Sequence, residues 1–124
     1  QAKISNHEKI DKKDERKMEK EEVLDLLQNK AREIADLEKW FKHSGEKRLA
    51  EYVCVWRLVN FKIQDIISST PQSEVGNALM LFRIDLCTQM EYFRDNGITS
   101  FAELYGAALD GFFKTRDLIA HYLL

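Results

Sequence analysis

The sequence predicts an all-α protein, an antiparallel four-helix bundle, and three observations carry that expectation. Apolar residues recur every three or four positions in four stretches between Val23 and Tyr122, which is the period of helices that bury one face. Short polar breaks part the stretches at His43-Ser44-Gly45, Ser68-Ser69-Thr70-Pro71 and Asp95-Asn96-Gly97, and connections this brief place successive helices side by side and reversed. One proline and five glycines in 124 residues leave little to interrupt long helices.

Charge divides the chain before any helix is assigned. Residues 1–48 carry 13 Lys/Arg and 12 Asp/Glu, whereas residues 49–124 carry 6 and 9, so the core is expected mainly in the last three fifths. Between Asn6 and Glu22 the only large apolar residues are Ile10 and Met18. Residues 1–22 are therefore expected to be a charged tail or a solvated helix extension, held weakly by pairs such as Glu8 and Lys12. Residues 23–124 are expected to form a single helical-bundle domain.

The first helix follows from Leu24, Leu27, Ala31, Ile34, Leu37 and Phe41 on one stripe, with Glu33, Asp36, Glu38 and Lys42 turned outward. Gly45 suits its C-terminal cap. The second runs from Leu49 to Ile67 with Val53, Trp56, Val59, Ile63 and Ile66 inward. Tyr52 to Trp56 has strand-like β-branched content, but about twenty apolar-rich residues without a break exceed a typical strand. Thr70 as N-cap with Pro71 at the first helical position opens the third. Its stripe is Val75, Leu79, Phe82, Leu86, Met90 and Phe93, closed by Gly97. Ser100 and Glu103 are spaced as a capping box for the fourth, whose stripe is Phe101, Tyr105, Ala108, Phe112, Ile119 and Tyr122. Gly106 and Gly111 inside that helix each cost about 1 kcal/mol relative to alanine. They point to close approach of a neighbouring helix, from this chain or from a second subunit.

Composition excludes several function classes. With a net charge of -2, no global basic field draws the chain to nucleic acid, so such binding needs a local site. Cys54 and Cys87 are flanked by hydrophobic residues, as buried thiols usually are, and two distant cysteines make neither a zinc site nor a disulfide framework. No metal and no cofactor are expected. No signal peptide is visible and no apolar run approaches the roughly 20 residues of a membrane span, so a cytoplasmic location without membrane contact is the default. The pairs Glu19/Glu22 and Glu33/Asp36 are spaced like magnesium-holding carboxylates, but each pair sits on one helix amid both signs of charge and reads as a solvated face. Trp40, Phe41 and Trp56 fall on apolar stripes and read as core. His7 lies in the charged segment and His43 at a helix end, where a cation complements the macrodipole.

One segment can carry chemistry: Arg116-Asp117-Leu118-Ile119-Ala120-His121. Arginine supplies a fixed cation for phosphate and histidine an imidazole that exchanges a proton near neutral pH. In a continuous helix Asp117 and His121 share a face, so the carboxylate can fix the imidazole tautomer. Arg116 lies about 140° around from His121 and reaches in from the side. RNA cleavage by transesterification wants both a base and an acid, which a two-fold dimer would supply.

At these residues the chain resembles the HEPN superfamily, helical bundles whose signature is Arg, a polar residue, and His after four to six intervening positions. Arg116, Asp117 and His121 match it, with Leu118-Ile119-Ala120 as the apolar filling. The resemblance implies a homodimeric, metal-independent endoribonuclease of toxin or defence type, sometimes controlled by a nucleotidyltransferase antitoxin partner. It implies that Arg116 stabilises the scissile phosphate, His121 handles the proton and Asp117 positions them. Two other classes stay open: a non-catalytic module that binds nucleotide or nucleic acid, and an interaction protein recognised through the charged helix around residues 6–42.

Overall fold

A computed structural model describes residues 18–123. The protein is an all-α four-helix bundle. Its helices are α1 (Lys20–His43), α2 (Lys47–Ser69), α3 (Gln72–Asp95) and α4 (Thr99–Leu118), followed by a short 3-10 turn over Ala120–Tyr122. The expected pairing of Glu8 with Lys12, and His7, lie outside the described residues. Helix α1 packs chiefly on α2, α2 also on α4, and α3 on α4. Among the described residues no helix is long and apolar enough to cross a membrane.

Glycine closes two helices as the sequence requires. Gly45 and Gly97 hold φ of 77° and 73°, a conformation that side chains resist. In each case the glycine and its successor return N–H groups to the last turn: Gly45 to Lys42 and Glu46 to Phe41, Gly97 to Arg94 and Ile98 to Phe93. The two helix starts differ from expectation. Pro71 itself stands at the cap of α3 with no side-chain cap, and Thr70 ends α2 in extended backbone. Pro71 still presets the chain, because its carbonyl receives the Glu74 N–H at 2.9 Å. At α4 the cap is Ile98, again without a side-chain bond. Ser100 is already helical, so no capping box forms, and Glu103 pairs with Arg48 of α2 instead.

The main core gathers toward one end of the bundle. Val23 and Leu27 of α1 meet Val59, Ile63 and Ile67 of α2, Val75 and Leu79 of α3, and Phe112 of α4. Phe82 and Phe112 meet edge to face, 5.8 Å apart. Ile119 and Tyr122 close this cluster beyond α4. The other end is held by aromatic contacts in which Phe93 stacks on Tyr105 at 5.6 Å and meets Phe101 edge-on at 5.2 Å.

Several side chains depart from the expected stripes, among them Phe101 of α4, expected inward but 50% exposed. Glu38, expected outside, is buried. It falls on the same line as Leu27, Ala31 and Ile34, and Arg57 of α2 reaches over it, donating from Nε and Nη2 to Oε1 at 3.1 and 2.9 Å. Lys42 holds Oε2 at 3.0 Å. Trp40, expected in the core, is 61% exposed, and Leu37 is also exposed, because the buried line of α1 runs one position round through Val23, Leu27, Ala31 and Ile34. Asn60 is fully buried on α2, where its Nδ2 donates to the Leu27 carbonyl at 3.1 Å and its Oδ1 accepts from Gln64 at 2.6 Å. Cys54 and Cys87 are half-buried free thiols.

The two glycines of α4 separate. A Cβ at Gly111 would stand 2.8 Å from Trp56 Cδ1 and 3.2 Å from Trp56 Cα, so this glycine lets α2 and α4 of one chain approach closely and is not available to a second subunit. A Cβ at Gly106 would meet only Met90 Sδ, at 3.9 Å, which any alanine tolerates. Trp56 is half-buried, with Lys114 Nζ 4.1 Å from the centre of its ring. Its indole N–H is buried without a partner among the described residues.

Candidate functional site

The end of α4 takes its form because two apolar side chains must turn inward together. Ile119 and Tyr122 are three residues apart, and a 3-10 turn sets residues i and i+3 on one face. Both are buried, Tyr122 to 1% exposure. The chain tightens accordingly: the Ile119 N–H reaches the Arg116 carbonyl at 3.2 Å and the Tyr122 N–H the Ile119 carbonyl at 2.9 Å. Gln72, at the start of α3, donates to the Tyr122 carbonyl at 3.1 Å and ties the turn down. Burial pushes the Tyr122 phenol above its ordinary value, and the negative charge of Glu19 acts in the same direction.

This tightening decides where the motif lies. Arg116 and Asp117 occupy the last turn of α4 and His121 the 3-10 turn, and all three are exposed. The shared helical face expected for Asp117 and His121 is not formed, because α4 stops at Leu118. Among the described residues no hydrogen bond or ion pair joins the side chains of Arg116, Asp117 and His121. The motif therefore supplies an accessible cation, carboxylate and imidazole, but not a preassembled Asp-His pair.

Arg116 instead borders a cleft of about 470 Å³ between α3 and α4. Leu79 and Phe112 line it from the core, Met80 and Phe113 line it with exposed apolar surface, and Arg83 of α3 is a second arginine in its lining. Phe113 is 42% exposed and meets Phe112 edge-on at 5.5 Å. Neither the Arg83 nor the Arg116 side chain has a hydrogen bond or ion pair among the described residues. Two arginines whose side chains meet no acid among the described residues, on an apolar floor, can hold an anion that carries an apolar group.

The sequence contains a signal for Arg83. On a helix a cation finds its acid three or four residues away, as Lys30 finds Glu33, Lys42 finds Glu38 and Lys114 finds Asp110. Around Arg83 those positions are Leu79, Met80, Leu86 and Cys87; around Arg116 they are Phe112, Phe113, Ile119 and Ala120. Both arginines are left without a helical partner by their own neighbours.

The described residues offer no group of three His, Cys, Asp or Glu placed as metal ligands. Glu33, of one acidic pair, is held by Lys30 at 3.2 Å. Compared with protein-family models, with curated proteins and with solved structures, the chain matches none.

Proposed function

We propose that this chain acts on RNA through the Arg116, Asp117 and His121 corner, as the HEPN resemblance implies. In the catalytic form of this reading a two-fold homodimer brings two histidines to one phosphodiester. One imidazole takes the proton of the ribose 2′-hydroxyl, the other protonates the leaving oxygen, and Arg116 stabilises the charge on the phosphate. No metal takes part, and a nucleotidyltransferase is the partner that would restrain such a nuclease. The observation that carries the reading is the placement of all three side chains in solvent, with the Arg116 side chain lining a cleft and meeting no partner among the described residues. In the test, purified protein is incubated with RNA in EDTA. Cleavage is expected, and His121→Ala is expected to abolish it while helical content stays constant. A wild-type protein that leaves varied RNAs intact, or that stays strictly monomeric at working concentration, overturns the catalytic form.

The end of α4 at Leu118 favours a second form, binding without cleavage. With His121 in a 3-10 turn, Asp117 and the other described residues form no hydrogen bond that would fix the imidazole tautomer. In this form RNA or nucleotide binds through Arg116 and the cleft. The expected result is retardation of RNA in a gel that Arg116→Gln weakens and His121→Ala leaves unchanged. Binding of a protein partner that survives loss of both residues would point to the charged stretch of sequence around residues 6–42.

A further inference from the structure

We propose that the cleft between α3 and α4 receives the terminal phosphomonoester of a nucleotide, with Arg83 and Arg116 on the phosphate and the base against Phe113 and Met80. This inference rests on the reading of that end as RNA-facing and adds residues that lie outside the Arg-to-His motif. Three features select the ligand class. The first is charge: two arginines line one cleft and neither side chain meets an acid among the described residues. A phosphomonoester carries roughly two negative charges at neutral pH, which matches two cations better than the single charge of an internal phosphodiester. Arginine adds paired N–H donors suited to phosphate oxygens.

The second feature is the apolar floor. Phe113 and Met80 are large apolar side chains left 42% and 44% exposed where they line the cleft. An inorganic ion gains nothing from them, whereas a base can stack on the phenyl ring and cover the thioether. The third is size. About 470 Å³ falls within the range of small-ligand sites, so the cleft suits one nucleotide unit at a strand end. Gly76 also lines the cleft, and a Cβ there would meet nothing within 4 Å, so the wall beside it is open.

Calorimetric titration of the full chain with 5′-AMP, 3′-AMP, 3′,5′-cyclic AMP, adenosine and inorganic phosphate tests the proposal. Either monoester is expected to bind at least about tenfold more tightly than the cyclic diester, adenosine or phosphate, and the difference between 5′-AMP and 3′-AMP identifies which strand end is preferred. Arg83→Gln is expected to weaken monoester binding about tenfold. Phe113→Ser is expected to bring AMP down toward the affinity of phosphate. If Arg83→Gln proves unfolded by circular dichroism, Arg83→Lys retains the charge and is expected to recover part of the affinity. Equal binding of phosphate and AMP, equal binding of the monoester and diester, or AMP affinity indifferent to Arg83 would overturn the proposal. RNA cleavage without AMP binding removes the subsite and leaves the nuclease. AMP binding without cleavage keeps the subsite and removes the nuclease.

Discussion

Between α1 and α2, Arg57 gives two hydrogen bonds to one oxygen of Glu38 while Lys42 holds the other. Between α3 and α4, Arg83 and Arg116 line a cleft and meet no acid among the described residues. Exposure does not separate the two seams, since Arg57, with a side chain 28% exposed, and Arg83 are both half-buried. What separates them is whether a carboxylate stands across the seam. In the first seam the cations neutralise a buried charge and belong to the fold. In the second the arginine side chains meet no acid among the described residues, so on the proposed reading they neutralise a ligand, and the fold is expected to lose little without them.

The strongest challenge to this contrast is Arg57→Met. Removing one partner of a buried pair costs several kcal/mol because the other charge stays desolvated. Lys42 remains on Glu38 and Arg57 is partly solvated, so the expected loss is roughly 2–3 kcal/mol, read as a lower urea midpoint with unchanged slope. A loss no larger than that of a surface change would mean that Lys42 alone satisfies Glu38, and the two seams would then differ less than their geometry suggests.

Gly111→Ala sharpens the contrast from the packing side, because Gly111 lies where α4 crosses α2, on the face away from Arg116. The new methyl would meet Trp56 Cδ1 at 2.8 Å and its backbone Cα at 3.2 Å. Overpacking of this kind costs about 1–3 kcal/mol, and the gain in helix propensity of about 1 kcal/mol offsets part of it. A net loss of roughly 1–2 kcal/mol is expected, whereas Gly106→Ala, with Met90 Sδ 3.9 Å away, is expected to be neutral or stabilising. Equal effects at both positions would mean that α2 and α4 do not approach this closely.

Much of this architecture is legible in the residues, and the failures have a common cause. Val75, Leu79 and Leu86 mark the inner face of α3 by spacing alone, and all three are buried. Glu38 occupies a stripe position as clearly as Ile34 does, but charge argues against burial until Arg57 and Lys42 are seen to converge on it, which only the pairing of α1 with α2 reveals. Trp40 shows the reverse error, since its size argues for burial while its position faces solvent. At the candidate site the motif is readable, and so are the vacant partner positions around Arg83. The end of α4 is not, because it depends on Ile119 and Tyr122 both being drawn into a cluster built by all four helices.

Acid separates the seams through Glu38. Lys42, and with it Arg57, holds this carboxyl below the ordinary 4.5 although burial pushes the other way. A carboxylate whose folded value lies below its unfolded one contributes stability above the unfolded value and loses it as pH falls through the folded one. Stability is therefore expected to decline below about pH 4.5, and Glu38→Gln is expected to flatten that part of the curve. Urea midpoints measured through this window check it. A slope that persists unchanged in Glu38→Gln would assign the acid response to other carboxylates.

The smallest expected effect bears most directly on the cleft. Arg83→Gln and Arg116→Gln remove side chains with no partner among the described residues, so each is expected to shift Tm by no more than about 2 °C, the size of an ordinary surface change. Paired with the loss at Arg57, this near-silence shows a cation without a structural partner, and AMP binding is what separates it from an ordinary surface arginine. The unliganded double variant could even gain stability, because two like charges facing one cleft repel when nothing neutralises them. A drop comparable to that of Arg57→Met would show that the folded chain already supplies both guanidinium groups with a partner. The cleft would then be a structural seam like the first, and only the motif corner would remain as a site.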